Sequence, residues 1–251
     1  MTDALLCIEH LSKRFGSLIV SDDITLEVRV GEIHALIGPN GAGKTTLIHQ
    51  LSGTLACDSG RILFAGEDVT RLPMEKRVRR GLARSFQITS ILPGYTVLEN
   101  VALAVQARSG SSFSFLSPVA NEEPLNRAAL GALALAGMEH RAGVRAAGLS
   151  HGEKRQLEIA IAIATQPKLL LLDEPLAGLG QEESRSSIAL LRRLKSQFTI
   201  VLVEHDMDAV FALADRISVM VYGRIIATGT PGEIRANAQV RAAYLGNEEA
   251  A

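Results

Sequence analysis

The segment Gly38-Pro39-Asn40-Gly41-Ala42-Gly43-Lys44-Thr45 carries the strongest chemical signal in the chain. It has the form G-x-x-x-x-G-K-[ST], follows the compact apolar run Ile33–Ile37 and opens a helical stretch from about Lys44 to Leu51 that stops at Gly53. Glycines let backbone N–H groups curl around phosphate oxygens with no Cβ in the way. The start of a helix adds partial positive charge where the anion lies. A lysine at this position reaches the β- and γ-phosphates of a nucleotide, and the following hydroxyl can ligate Mg2+. The spacing therefore predicts a nucleotide-binding segment from Gly38 through Thr45 and Thr46.

A second constellation lies at the end of the fully apolar run Leu169–Leu172, which delivers Asp173 and Glu174 ahead of Pro175. Open α/β sheets bind ligands at the carboxyl ends of their strands. Beside a phosphate loop, Asp173 is placed to act on Mg2+. Glu174, one residue on, is placed to polarise an attacking water as general base. Alone, Asp-Glu-Pro would be read as a polar turn. The phosphate loop upstream gives it chemical meaning.

These groups must be held by strands. Leu5–Ile8 and Ile24–Val28 are short β-type runs with turn residues between them, and they predict an antiparallel layer near the N-terminus. Arg61–Phe64 follows the Asp58-Ser59-Gly60 turn as a further strand. From Gln87 to Gln166 strands become scarce, and Ala and Leu at helical spacing dominate, as in Leu125–Ala136 and Leu157–Ala164. Ser109–Pro118 within it reads as a surface loop. Strands then return at Thr199–Val203, Ile217–Val221 and Arg224–Thr228, the last two flanking the hairpin signal Tyr222-Gly223. Fully apolar strands separated by helices imply a parallel sheet covered on both faces. The expectation is an α/β fold with a mostly parallel core, an N-terminal antiparallel β layer and an inserted helical subdomain.

The net charge of −1 gives no basic excess for a general nucleic-acid binder. The basic run from Glu75 to Arg80 reads as a solvated helix face. Cys7 and Cys57 lie in no metal or redox spacing and read as structural thiols of a reducing compartment. No secretory leader is seen, and no apolar run approaches the roughly 18–20 residues of a spanning helix. The chain is expected to be soluble and cytoplasmic, with any membrane role supplied by a partner. Asn247–Ala251 reads as a frayed tail.

Leu149-Ser150-His151-Gly152-Glu153 precedes an apolar helix. Ser150 and Glu153 have the spacing of a capping box, which also makes a second anion-binding helix start. The segment resembles the signature motif of ABC ATPases, whose usual form begins Leu-Ser-Gly-Gly. Other elements of that family follow in order from about Leu6 to Leu245. Phe15 resembles the aromatic that stacks on adenine, and Val20 the apolar residue beside it. Gln87 in Arg84-Ser85-Phe86-Gln87 resembles the glutamine of the Q-loop, Ala177-Gly178-Leu179 the D-loop, and His205 in Glu204-His205-Asp206 the switch histidine. Two positions depart from the pattern: His151 stands where glycine is commonest, and Gly180 where the D-loop usually has aspartate. The second leaves the usual aspartate contact across a dimer unsupported.

The resemblance implies one P-loop ATPase domain, with a nucleotide-binding core at residues 1–86 and 167–235, a helical subdomain at 87–166 and a C-terminal segment at 236–251. It implies ATP and Mg2+ as cofactors. Lys44, Glu174 and His205 would be catalytic, Thr45, Gln87 and Asp173 would attend the metal, and Ser150 and Gly152 would act across a dimer on the partner's nucleotide. It further implies integral-membrane permease subunits, a second ATPase subunit (identical or sister chain) and, indirectly, an external substrate-binding protein. The chain would then lie on the cytoplasmic face of the inner membrane. Arg84–Gln87, Pro93–Val101, Leu176–Leu179, Val203–Met207, Gly229–Pro231 and Ala243–Gly246 are similar to ATPases of branched-chain and hydrophobic amino-acid importers. Importers of urea and short amides, and lipid exporters, use similar subunits, so the cargo stays open at this stage. A soluble ABC ATPase would carry two ATPase units or a long coiled coil, and a GTPase an Asn-Lys-x-Asp motif. None of these is present.

Overall fold

The computed structural model describes residues 4–85, 91–109 and 123–242. Its strands are β1 (Ala4–Phe15), β2 (Leu18–Arg29), β3 (Ile33–Ile37), β4 (Ser59–Phe64), β5 (Glu67–Asp68), β6 (Leu82–Arg84), β7 (Leu169–Asp173), β8 (Thr199–Val203), β9 (Arg216–Val221) and β10 (Arg224–Gly229). The helices include α1 (Lys44–Ser52), α2 (Met74–Arg80), α3 (Val97–Ser109), α4 (Glu123–Ala136), α5 (His151–Ala164), α6 (Gln181–Leu194), α7 (Met207–Leu213) and α8 (Pro231–Ala236). The surface loop expected at Ser109–Pro118 falls outside the described residues beyond Ser109, where α3 ends, and the expected tail lies outside them entirely.

Two sheets form. One has the order β2-β1-β4-β5 and is antiparallel throughout, as expected for the N-terminal layer. The other has the order β10-β9-β3-β8-β7-β6. Its strands run parallel except for β10, which returns from β9 through the hairpin at Tyr222-Gly223. Both turn residues have positive φ, 46° and 80°, as a two-residue primed turn requires.

Alternation along the central strands explains why the sheet is covered twice. Leu169 and Leu171 of β7 face a core shared with Leu47, Ile48 and Leu51 of α1 and with Leu6, Ile8 and Ile24 of the antiparallel layer. Leu170 and Leu172 face the opposite core, with Leu157 and Ile163 of α5 and Leu190 and Leu194 of α6. Helix α1 is thus clamped between the sheets. Helices α3, α4 and α5 pack on one another through Val101, Leu133 and Leu157, a cluster continuous with the second core.

The short strand β6 was not foreseen, because Leu82-Ala83-Arg84 is too brief to carry a period. Its pairing with β7 brings an arginine into the sheet. The basic run also differs from expectation at one position. Glu75, Lys76, Arg79 and Arg80 are exposed on α2, but Arg77 is only 2% exposed. Its guanidinium donates to the carbonyls of Gln50 and Leu51 at the end of α1 (2.7 Å each), and to those of Leu72 and Thr70 (2.9 Å each). The last carbonyls of a helix lack intrahelical partners. A cation near them also meets the negative end of the helix dipole.

Arg77→Ala would leave several buried carbonyls without donors, each costing on the order of 1–3 kcal/mol. We expect a loss of about 3 kcal/mol in urea unfolding, whereas Arg79→Ala on the solvated face should change stability by less than about 0.5 kcal/mol.

Candidate functional site

The phosphate loop leaves β3 at Ile37 and enters α1 at Lys44. Gly38 has φ 154° and Gly43 has φ 103°. A Cβ at Gly38 would lie 2.0 Å from the Met220 carbonyl oxygen, and one at Gly43 would lie 2.4 Å from that of Val20. Glycine is required at both places by close approach as well as by dihedral. The loop is braced from behind. Ala42 N–H donates to Pro39 O (3.1 Å), Gly223 N–H to Ala42 O (2.9 Å) and Asp22 N–H to Gly223 O (2.9 Å). The β9–β10 hairpin and strand β2 therefore hold the loop's shape. No side chain caps α1 and its first turn has no acid, so its N-terminal N–H groups face the loop cavity as an anion site.

Lys44 is buried, and its Nζ donates to the carbonyls of Gly38 (2.7 Å) and Pro39 (3.0 Å). Burial lowers its pKa, while Glu174 and Asp173 act in the opposite direction. The lysine thus feels both carboxylates that the sequence singled out. Thr45 and Thr46 are half-buried at the start of the same helix.

Asp173 ends β7 in register with Val203, the last residue of β8, and Glu174 N–H donates to the Val203 carbonyl (2.9 Å). The loop after β3, the carboxylates after β7 and His205 after β8 therefore follow the carboxyl ends of three neighbouring parallel strands. Glu174 is half-buried and has φ 49°. A non-glycine residue in this region costs of order 1–3 kcal/mol and persists only where its surroundings fix it.

Asp173 is 2% exposed. Arg84 Nη2 donates to its Oδ2 (3.1 Å), and Arg84 Nη1 lies 3.1 Å from His49 Nδ1 on α1. Asp173 Oδ1 is buried without a hydrogen-bond partner. Burial holds the Asp173 carboxyl above the usual carboxylate range; the Arg84 guanidinium works against that shift, and the Glu174 charge adds to it. An orphaned carboxylate oxygen beside a phosphate loop fits a hydrated Mg2+. Among the described residues no cluster of three or more His, Cys, Asp and Glu could form a protein-only cage. Mg2+ usually keeps several waters and takes only one or two carboxylates with phosphate oxygens, so a single open carboxylate oxygen is compatible with it. Sequence reasoning did not assign Arg84 or His49. The available signal was a charged residue directly after Leu82 and Ala83.

The remaining predicted residues fall on two further surfaces. Phe15 is 52% exposed at the end of β1, with Lys13 Nζ 5.4 Å from its ring centroid. Val20, on β2 beyond the hairpin turn, touches the loop through its backbone at Gly43. The strand pair that carries the exposed Phe15 ring thus reaches the phosphate loop through Val20. Ser150 caps α5: its Oγ accepts from Glu153 N–H (3.2 Å), and Ser150 N–H donates to Glu153 Oε2 (2.8 Å), the expected capping box. Gly152 is buried there, and a Cβ on it would lie 2.7 Å from Glu183 Oε1. A Cβ on Gly178 would lie 3.4 Å from His151 Nε2. The start of α5 therefore packs on the turn after Glu174. Gly180 is the N-cap of α6 and its N–H donates to Glu183 Oε2 (3.2 Å). His205 is exposed just before α7. Gln87 lies outside the described residues.

The chain is similar to known proteins over nearly its whole length. The profile of the ABC transporter family matches residues 21–177, and that of the branched-chain amino acid ATP-binding cassette transporter family matches residues 224–250. The chain is 39% identical to the high-affinity branched-chain amino acid transport ATP-binding protein LivG of Escherichia coli, covering 98% of this chain and 99% of that one. It is 36% identical to BraF of Pseudomonas aeruginosa, a protein of the same description, with 98% and 99% covered. Among solved structures it is similar to the ADP conformation of an ATP-binding cassette of an ABC transporter, with TM-score 0.86, 30% identity, and 98% of this chain and 100% of that chain covered.

Removing Arg84 while keeping Asp173 strands a buried carboxylate. Arg84→Met should destabilise the nucleotide-free protein by about 3 kcal/mol at pH 7.5. The deficit has a definite pH sign. The folded pKa of Asp173 is raised, so its contribution to stability falls as pH rises from the unfolded value through the folded one. Without Arg84 the folded value rises further and the affected window widens upward. Urea unfolding at pH 5 should therefore show a smaller deficit than at pH 7.5.

Proposed function

The chain belongs to the ABC transporter family of ATPases, and on that premise we propose that it drives an importer of branched-chain or other hydrophobic amino acids. The observation that carries this reading is end-to-end similarity to LivG and BraF, over 98% of the chain. No helix among the described residues is long and apolar enough to cross a membrane. Transport would therefore rely on integral-membrane permease subunits, with this chain on the cytoplasmic face and an external protein delivering the substrate. A groove of about 1010 Å3 between α2–β6 and α3–α5, lined by Met74, Val78, Ala104, Glu158 and Ile161, lies apart from the phosphate loop. Its apolar walls suit a permease segment. Residues 1–86 and 167–235 form the nucleotide-binding core in this reading, and 87–166 the helical subdomain, with the groove lined by residues of both.

In this reading each of the singled-out side chains has a chemical role. Phe15 and Val20 receive the adenine. The loop N–H groups from Gly38 to Thr46 and the Lys44 ammonium hold the β- and γ-phosphates, where charge accumulates as the bond to the leaving ADP stretches. Mg2+, when bound by Thr45, Gln87 and, through water, Asp173, supplies neutralisation of phosphate charge. Glu174 takes the proton of the water that attacks the γ-phosphorus, and the bond between that phosphorus and the β–γ bridging oxygen breaks to release ADP and phosphate. His205 donates to the γ-phosphate and helps hold the water. Ser150 and Gly152, at a second helix N-terminus, meet the nucleotide of a partner ATPase, identical or sister. Contacts made only with the γ-phosphate hold such a dimer closed, and hydrolysis releases it.

Glu174→Gln should retain ATP binding and lose roughly 10²–10⁴-fold in turnover; turnover near wild type would refute the role of the carboxylate. Lys44→Ala should instead weaken ATP binding itself, measured by fluorescent-nucleotide titration. The Glu174→Gln variant, trapped with ATP and purified from solubilised membranes of its source cell, should bring two permease chains and a second ATPase chain. Recovery only in the soluble fraction with ribosomal or DNA-repair proteins would overturn the transport reading and leave the ATPase intact.

A further inference from the structure

Between Glu174 and His205 lies a buried ionisable group that the mechanism above does not use. The Glu204 side chain has no exposed surface. Its Oε1 accepts from Leu176 N–H (2.8 Å), and its Oε2 accepts from His205 N–H (3.1 Å). The Asp206 N–H also faces the carboxylate. Leu176 lies two residues beyond Glu174, whose own N–H is tied to Val203, the residue before Glu204. The Ala177 N–H closes the same turn onto the Glu174 carbonyl (3.1 Å). One carboxylate thus joins two loops from neighbouring strands, one carrying Glu174 and the other His205.

The geometry has a purpose that packing alone would not need. Glu174 sits at φ 49°, a conformation that persists only when the surroundings fix it. Burial pushes the Glu204 carboxyl up, while the N–H donors of Leu176, His205 and Asp206 pull it back. An apolar side chain would avoid that desolvation but could bind neither loop.

We propose that Glu204 is a positioning residue for ATP hydrolysis: its two carboxylate oxygens hold the Glu174 turn and the His205 turn in one fixed relation about the attacking water. The proposal rests on the roles given above to Glu174 and His205. Only a carboxylate presents acceptors at both ends of a planar group of this size. Glutamine keeps the shape but turns an NH2 toward a backbone N–H, so one of the two ties is lost. Freed by a fraction of an ångström, the base and the histidine no longer meet the water together.

The test is steady-state ATPase kinetics and fluorescent-ATP titration of Glu204→Gln, His205→Ala and the double variant, with circular dichroism confirming the fold and Glu174→Gln as control. Glu204→Gln is expected to lower kcat roughly 10- to 100-fold, with KM and ATP affinity within about threefold of wild type. In the His205→Ala background the same change should cost at least about fivefold less, because one of the two positioned groups is already gone. Losses that simply multiply, an unchanged kcat, or a loss of ATP affinity matching that of kcat would each overturn the proposal. Should Glu204→Gln not fold, Glu204→Asp carries the test. It keeps both acceptors on a shorter arm, so a lower kcat at unchanged ATP affinity supports the proposal and an unchanged kcat overturns it. If the Glu174→Gln control retains wild-type turnover, the reading of the site itself fails, a result distinguishable from failure of Glu204 alone.

Discussion

Parallel pairing of β3 with β8 and of β8 with β7 is the constraint on which the rest of the structure depends. Strands that run the same way end on the same edge. The phosphate loop lies more than a hundred residues before Asp173, Glu174 and His205 in the chain, yet each of these segments leaves its strand at that edge. The sheet can be parallel only because helices cover both of its faces. The leucines of β7, alternating between two cores, are the sequence expression of that requirement.

The antiparallel layer has a second task beyond burying α1. Through Val20 it lies against Gly43, and through Asp22 it reaches the hairpin residue Gly223, which in turn holds Ala42. The phosphate loop is therefore clasped by backbone from two sheets. A loop that must present N–H groups to an anion gains from such rigidity, since its donors need no reorganisation when the ligand arrives. The exposed ring of Phe15, at the end of β1, lies on the same layer.

Buried charge in this protein is concentrated where loops meet. Arg77 closes the end of α1, Arg84 joins β6 to the Asp173 carboxylate and to His49, and Glu204 joins the turns after β7 and β8. Each such group costs desolvation that only well-formed partners offset. Each also bonds to two separate segments of the chain, so what it contributes is definite geometry. Asp173 Oδ1 is among the buried polar atoms left without a hydrogen-bond partner.

The sequence by itself determined the phosphate loop, the strands β3, β7 and β8 to within a residue, the capping box at Ser150 and the hairpin at Tyr222-Gly223. All are local: a short apolar run, a glycine where φ is positive, a serine three residues before a glutamate. Arg77 read as a solvated charge, Arg84 as part of a family motif and Glu204 as the neighbour of a histidine. Their partners lie 27, 89 and 28 residues away. Whether a charged side chain is solvated or satisfied inside depends on which distant carbonyl, carboxylate or amide the fold brings to it. No periodicity records that distance, so the burial of these charges, and with it the relation of Glu174 to His205, was decided only when the parallel sheet closed.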